Sequence, residues 1–352
     1  MPKVNLKALS QQELEYFIKE SGLSAFRAKQ LLHWIYEKHV SSISDITELS
    51  KDLRGRLAGN AYISNLELLD RRISRDGTEK FLFGLEDGEN IESVLIPDED
   101  RLTLCISSQV GCAMGCRFCL TGTMGLKRNL QPHEIVDQVI AVSRMIAHPS
   151  IPPLARGGRG GVITNIVFMG MGEPLANFDN VVEALRRITG RMKISPKGIT
   201  LSTSGIAPKI PELAIKAPKV KLAVSLNATT DTARDYIMPV NRTYPLKALL
   251  EACRTFTLPA RSRITFEYVL LRDVNDTRED AKRLIYLLKG IPLKMNLIPF
   301  NPYPGSEFER PDEKSVLEFQ DILLNAHITA IIRKSKGQDI LAACGQLKAK
   351  YR

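Results

Sequence analysis

Six times between Leu102 and Ala326 a short apolar run gives way to a stretch of helical periodicity. The strand-like runs are Leu102–Ile106, Ile163–Met169, Gly198–Ser202, Lys221–Leu226, Ile264–Leu270 and Lys294–Ile298. The helical patterns are His133–Ile146, Asn180–Ile188, Pro211–Lys216, Leu246–Phe256, Arg278–Lys289 and Glu313–Ala326. Such alternation argues for a parallel sheet with helices on its outer face. Repeated right-handed crossovers close a sheet of this kind into a full or partial barrel. The fold expected is therefore α/β, a partial (β/α)6 barrel, with ligands at the carboxyl ends of its strands.

What precedes the barrel is of two kinds. Residues 1–65 read as a small helical domain: Ser10-Gln11-Gln12-Glu13 is a capping-box pattern ahead of Leu14, Phe17 and Ile18. A second apolar-periodic run covers Phe26 to Tyr36 and contains the only tryptophan, Trp34, and a third helix is expected over Ile46 to Leu57. Residues 66–100 read instead as hairpins, with Asp76-Gly77 and Asp87-Gly88 as turn dipeptides, linking that domain to the barrel of residues 101–352. No run of 18 or more apolar residues occurs and no hydrophobic leader opens the chain. The expectation is a cytoplasmic protein with no membrane partner.

Forty-nine Lys and Arg against 39 Asp and Glu leave a formal charge of +10, which suits a polyanionic partner but fits an ordinary basic surface equally well. Candidate phosphate contacts are Arg117, Lys127, Arg128, Arg156, Arg159 and the run Arg333-Lys334-Ser335-Lys336, with Pro149–Gly161 as an exposed loop.

Three of the six cysteines fall together in Cys112-Ala-Met-Gly-Cys116-Arg-Phe-Cys119, directly after the first barrel strand. Thiolates at this spacing can hold three irons of a cubane, leaving the fourth free for a small ligand. Zinc is the rival, although a structural zinc site wants four ligands and no histidine lies near in sequence. At the end of the second strand, Met169-Gly170-Met171-Gly172-Glu173-Pro174 combines glycines that let backbone approach a ligand with a carboxylate that can accept from an ammonium group. Ser202-Thr203-Ser204-Gly205 and Ser225-Leu226-Asn227 end the next two strands with short polar side chains.

With Phe118 before its last cysteine, the triplet resembles the radical S-adenosylmethionine signature. Over almost the whole chain the sequence is similar to the adenine-C2 methyltransferases of 23S ribosomal RNA and tRNA, whose sister group modifies adenine C8. The resemblance implies a [4Fe-4S] cluster on Cys112, Cys116 and Cys119 and two molecules of S-adenosyl-L-methionine per turnover. One of these is cleaved to a radical with an electron from an external donor. It implies cofactor contacts from Gly172, Glu173, Ser204, Ser225, Leu226, Asn227 and Asn301; many family members carry histidine where Asn227 stands. Cys344 matches the methyl-carrying cysteine that becomes joined to RNA. Cys105 matches the cysteine that resolves this adduct through a disulfide with Cys344. Glu92 matches the acceptor of the C2 proton. Adenine-C8 methylation, or a metal-binding protein that only binds RNA, are the alternatives. Cys253 matches no functional position and is expected to be a packing residue, and no histidine stands out as a ligand. The helical domain is an RNA-docking module or a structural brace.

Overall fold

The computed structural model describes residues 2–147, 162–257 and 262–349. Arg156, Arg159 and the Pro149–Gly161 loop lie outside the described residues.

The chain begins with β1 (Val4–Asn5), α1 (Gln11–Glu20), α2 (Phe26–Tyr36), α3 (Lys51–Asn60) and β2 (Ala61–Tyr62). The capping box at α1 is formed in both directions, with Ser10 accepting from the Glu13 N–H and Glu13 from the Ser10 N–H. The third helix begins later than its apolar pattern suggests. Ser50 caps it by accepting from the Leu53 N–H, and a separate 3-10 turn, Ile43–Asp45, takes up part of the preceding segment. This module is fastened to the barrel by a buried lysine. Lys7 Nζ donates to Asp137 Oδ1 at 2.6 Å and to the Ser64 carbonyl at 2.7 Å, while Arg187 Nη1 donates to the Lys7 carbonyl at 2.6 Å.

Three antiparallel strands follow, β3 (Glu67–Ile73), β4 (Glu79–Gly84) and β5 (Asn90–Asp98). The turns between them fall on Gly77 and Gly88, both with positive φ. They do not stand apart from the barrel, because β5 pairs antiparallel with β6 (Arg101–Cys105), the first barrel strand. A short hairpin, β7 (Gln109–Cys112) and β8 (Gly125–Asn129), then brackets the cysteine loop.

The barrel proper runs α4 (Pro132–Ala147), β9 (Asn165–Phe168), α5 (Phe178–Arg186), β10 (Ile199–Thr203), α6 (Lys209–Lys216), β11 (Lys221–Ser225), α7 (Asp231–Ile237), α8 (Leu246–Thr255), β12 (Ile264–Leu270), α9 (Arg278–Leu287), β13 (Leu293–Pro299), α10 (Glu313–Asn325) and β14 (Ala330–Ile332). The sheet has ten strands in the order β14-β13-β12-β11-β10-β9-β6-β5-β4-β3. Every pair from β6 to β14 is parallel. This is the expected six-unit α/β architecture, with one further short strand, β14, closing the row. Among the described residues no helix is long and apolar enough to cross a membrane.

Strand period 2 divides the sheet chemically. Ile166, Leu201, Leu222, Phe266 and Leu297 point outward and are buried in the core shared with the helices. Their neighbours Thr200, Lys221, Thr265, Glu267, Lys294 and Asn296 line the concave face. The two faces explain why apolar runs in this sequence are interrupted by charges that a sheet covered on both sides would not tolerate.

Candidate active site

Cys112 closes β7, and the chain then loops through Cys116 and Cys119 before β8. Gly111, at φ +77, cannot be replaced without collision, since a Cβ there would lie 2.0 Å from the Gly125 carbonyl oxygen. The loop is wrapped in its own apolar cluster, in which Cys116 packs with Ile237, Met238, Ile298, Phe300 and Tyr303. Burial pushes the Cys112 thiol up to about 12 and raises Cys116 and Cys119 as well, and the neighbouring thiols push Cys112 and Cys116 further. Thiols this apolar and this close to one another become thiolates only against compensating positive charge, which is what iron ions supply. Among the described residues no three His, Cys, Asp or Glu side chains converge on one ion-sized point. A tetrahedral zinc would need that convergence. A cubane would not, since each thiolate takes a separate iron.

The end of β9 supplies the second component. Gly172 sits at φ +99, and a Cβ there would lie 2.5 Å from the Gln109 Cβ. Beside it Glu173 is buried, with Oε1 accepting from the Leu175 N–H and the Thr203 hydroxyl and Oε2 from the Ser204 N–H at 2.6 Å. Burial raises its carboxyl above the ordinary range, and these donors oppose the shift. Ser204 Oγ, alongside, is buried with no hydrogen-bond partner. A carboxylate with spare lone pairs next to an orphaned hydroxyl fits the ammonium and carboxylate of an amino-acid ligand.

Behind these groups stands Arg234 on α7, a residue the sequence did not single out. It is fully buried and donates to the carbonyls of Ser204, Ser225 and Leu226 at 2.7, 3.1 and 2.9 Å, and to Asn241 Oδ1 at 3.1 Å. Burial lowers its pKa to about 10 while the Cys116 thiol raises it, so the guanidinium both ties two strand ends together and faces the cysteine loop. Asn227 is placed differently from its neighbours. It has φ +56, its Oδ1 accepts from the Val269 N–H at 2.8 Å, and its Nδ2 lies 3.2 Å from Met238 Sδ. Its side chain is thus largely engaged in holding the turn.

The concave face opens into a cavity of about 1580 Å³ whose wall carries Cys105, Cys344, Asn301 and Glu267. Cys105 ends β6, and burial pushes its thiol up to about 12, with Glu267 adding to the shift. Cys344 comes from the C-terminal segment. Surrounding protein, then Glu267, Cys119 and Cys105, push its thiol upward, and Arg333 opposes them. The residue is open to the cavity, so water offsets part of that burial. Asn301 is tied to the same segment, donating to the Cys344 carbonyl at 3.2 Å and accepting from Gln338 Nε2 at 2.9 Å. The Gly345 carbonyl accepts from the Leu120 N–H at 2.7 Å, so the segment also abuts the cysteine loop. All six cysteines are free. The disulfide implied between Cys105 and Cys344 is not present in this structure. Cys253 is buried in the core as a packing residue.

Other sequence candidates are distributed unevenly. Arg333, Lys334 and Lys336 line the cavity. Arg117, Lys127 and Arg128 are engaged by Glu307, by Glu89, and by Asp87 with Glu134 respectively. Glu92 does not belong to the cavity wall: Oε1 pairs with Lys80 Nζ at 3.0 Å and Oε2 accepts from the Lys348 N–H at 2.7 Å.

A barrel that sets a three-thiol loop beside a glycine-glutamate turn defines the class of radical S-adenosylmethionine enzymes, and residues 154–285 match the radical SAM superfamily. Residues 4–63 match the N-terminal domain of ribosomal RNA large subunit methyltransferases. The dual-specificity RNA methyltransferase RlmN of Pelobacter propionicus is 53% identical over 350 residues, covering 99% of this chain and 96% of its own length. That of Geobacter sulfurreducens is 52% identical over 349 residues, covering 99% of this chain and 92% of its own. A crystal structure of a radical SAM methyltransferase from Sphaerobacter thermophilus superposes with a TM-score of 0.91 at 42% identity, covering 99% of this chain and 100% of that one. The chain belongs to the RlmN family of dual-specificity RNA methyltransferases.

Proposed function

We propose that this enzyme methylates adenine C2 in 23S ribosomal RNA and in tRNA, with Cys344 carrying the methyl group and becoming joined to the RNA before release. The observation that carries this reading is the single cavity that presents the Cys344 and Cys105 thiols together, against the cysteine loop and beneath a set of cations. An amidine carbon such as adenine C2 is electron-poor and offers no nucleophile to a sulfonium methyl, so a thiol that first takes the methyl and then delivers it answers a chemical need.

Cys112, Cys116 and Cys119 would hold the [4Fe-4S] cluster. Glu173 and Ser204 would hold the methionyl amine and carboxylate of S-adenosylmethionine, Gly172 giving the backbone room. Ser225, Leu226, Asn227 and Asn301 complete its binding positions, the first two through a turn that Arg234 braces. When bound, these groups supply the electron, the methyl and the radical chemistry, with a separate electron donor feeding the cluster. Cys344 lends its thiolate to methyl capture. Cys105 approaches the Cys344 sulfur to free the product, a step that requires a thiolate where burial disfavours one. Glu92 is the position assigned to the C2 proton; to reach it, the carboxylate gives up its bond to Lys80 or to the Lys348 N–H. In this reading residues 1–65 are the accessory module, 66–100 the linking strands, and 101–352 the barrel with its carrier segment.

The test uses anaerobically reconstituted enzyme, reductant, methyl-labelled cofactor, and ribosomal RNA or tRNA, with digested nucleosides resolved by mass. Label in 2-methyladenosine is the expected result. Label in 8-methyladenosine would move the chain to the sister activity, and absence of both label and deoxyadenosine would leave only a metal-binding RNA partner.

A further inference from the structure

The carrier cysteine lies in a segment with little regular structure of its own. Only a 3-10 turn, Gln338–Ile340, precedes it, and Gly337 and Leu341 both have positive φ. Its position must therefore be imposed from outside. Two buried charges on the antiparallel strands do this. Lys80 on β4 and Glu92 on β5 are diagonal neighbours, since Lys80 pairs with Val94 and Leu82 with Glu92. Their ion pair spans 3.0 Å, with side chains 9% and 6% exposed. Neither charge stops there. Lys80 Nζ also donates to the Leu341 carbonyl at 3.1 Å, three residues before Cys344, and Glu92 Oε2 accepts from the Lys348 N–H at 2.7 Å, four residues after it.

We propose that Lys80, through its ion pair with Glu92, is a positioning residue that clamps both ends of the Cys344 segment and so aims the carrier thiol into the cavity. The inference rests on the reading of Cys344 as carrier. An ion pair this deeply buried is an unpromising source of stability, because desolvation cancels most of the attraction. It is better understood as a registration device: each partner keeps one hydrogen bond for a backbone group at either end of the same eight-residue stretch. The stretch has further uncharged ties, from Asn301 to the Cys344 carbonyl, Leu120 to the Gly345 carbonyl, Gln346 to the Pro302 carbonyl and Thr121 to the Leu347 carbonyl, and the ion pair is the one charged tie among them.

The experiment compares cluster-reconstituted enzyme with its K80M, K80R and K80M/E92Q variants, the last leaving no stranded charge. Amide hydrogen exchange over residues 341–348 and iodoacetamide labelling of individual cysteines are read by mass spectrometry without cofactor or RNA. Expected are exchange and Cys344 labelling raised by about tenfold in K80M and the double variant, with Cys253 in the core still protected and K80R partly restoring both. In turnover K80M should lower kcat for methyl transfer and leave KM for RNA unchanged. Unaltered exchange and labelling in both K80M and the double variant would overturn the clamp, as would Cys253 opening in step with Cys344. Exchange and labelling decide the clamp even if the RNA product proves not to be 2-methyladenosine.

Discussion

The turns at the carboxyl end of the barrel and the lysines toward its amino end are built on different electrostatic plans. At the carboxyl ends of β9, β10 and β11 charge is matched group by group. Glu173 accepts three hydrogen bonds and Arg234 makes four, all within the fold. Around Lys294, toward the amino end of β13, burial lowers the pKa and the cations Lys221, Arg333, Arg101 and Arg263 lower it further. A preorganised, internally satisfied end suits a small zwitterion recognised by shape and a few polar groups. An end that gathers Lys221 and Lys294 with Arg101 attracts a polyanion, with Asp98 and Glu99 on the same wall offsetting part of that charge. On the proposed reading the first set of residues serves the chemistry and the second serves RNA.

The largest effects belong to the thiols. C116A should abolish cofactor cleavage and methylation together, because in the proposed reading Cys116 is one of three cluster ligands. C344A should abolish methylation by more than about a thousandfold while deoxyadenosine still forms from the cofactor. Equal loss of both activities in C344A would mean that the carrier segment also builds the cofactor site, and the two functions would no longer divide as described. The C105A variant should instead accumulate a protein–RNA adduct visible on a denaturing gel.

Next in size is the brace. R234M leaves the carbonyls of Ser204, Ser225 and Leu226 without their donor in a dry interior, and should cost about 3 kcal/mol or more in unfolding free energy, measured by urea melts. The corresponding neutralisation at the other end, K294M, should cost nothing or stabilise the RNA-free protein, since it removes a like charge. A comparable loss in both variants would erase the contrast between the two ends.

Legibility in the sequence follows the same division. The barrel was readable because each strand and helix carries its own period, and the two DG turns because a positive φ favours glycine. The helix α7 and strand β14, at seven and three residues, are too short to show a period. Arg234 was invisible for a further reason: arginine in a polar stretch reads as surface, and only the convergence of strand ends reveals it as buried. At Asn227 the sequence showed the place at a strand end, but not that its amide also bonds the Val269 N–H and meets Met238 Sδ, partners distant in sequence or in a loop. Glu267 was likewise passed over as part of an apolar run, though strand alternation turns it toward the cavity, where Ser202 donates to it at 2.9 Å.

A moderate effect is expected on RNA affinity. If Lys221 and Lys294 each meet a phosphate, K221M and K294M should each weaken RNA binding by a few-fold and reduce the slope of log affinity against log salt by about one, with cofactor cleavage unchanged. Filter binding at a series of salt concentrations reads both. A weaker affinity with an unaltered slope would assign these lysines to packing and leave Arg333, Lys334 and Lys336 as the phosphate contacts.

The smallest effect is a pH dependence, and its sign separates strain from ordinary surface charge. Burial, with the surrounding cations, holds the Lys294 ammonium below the ordinary lysine pKa of 10.5 in the folded protein. Below that folded pKa both folded and unfolded chains hold the proton, and the penalty for keeping the ammonium among cations is fully present. As pH rises through the folded pKa toward 10.5, the folded protein releases the proton while the unfolded chain retains it, so the penalty fades and stability gains. The difference in unfolding free energy between wild type and K294M should therefore shrink as pH rises through the lowered folded pKa toward the ordinary lysine range, the variant being favoured at the lower pH. RNA reverses the logic: a phosphate beside Lys294 pulls its pKa back up, and binding in the same pH range should take up protons in wild type and fewer in K294M. Calorimetry in two buffers of different ionisation enthalpy measures that uptake. Identical uptake in both proteins would remove Lys294 from the RNA path and leave the cationic end of the cavity without a demonstrated partner.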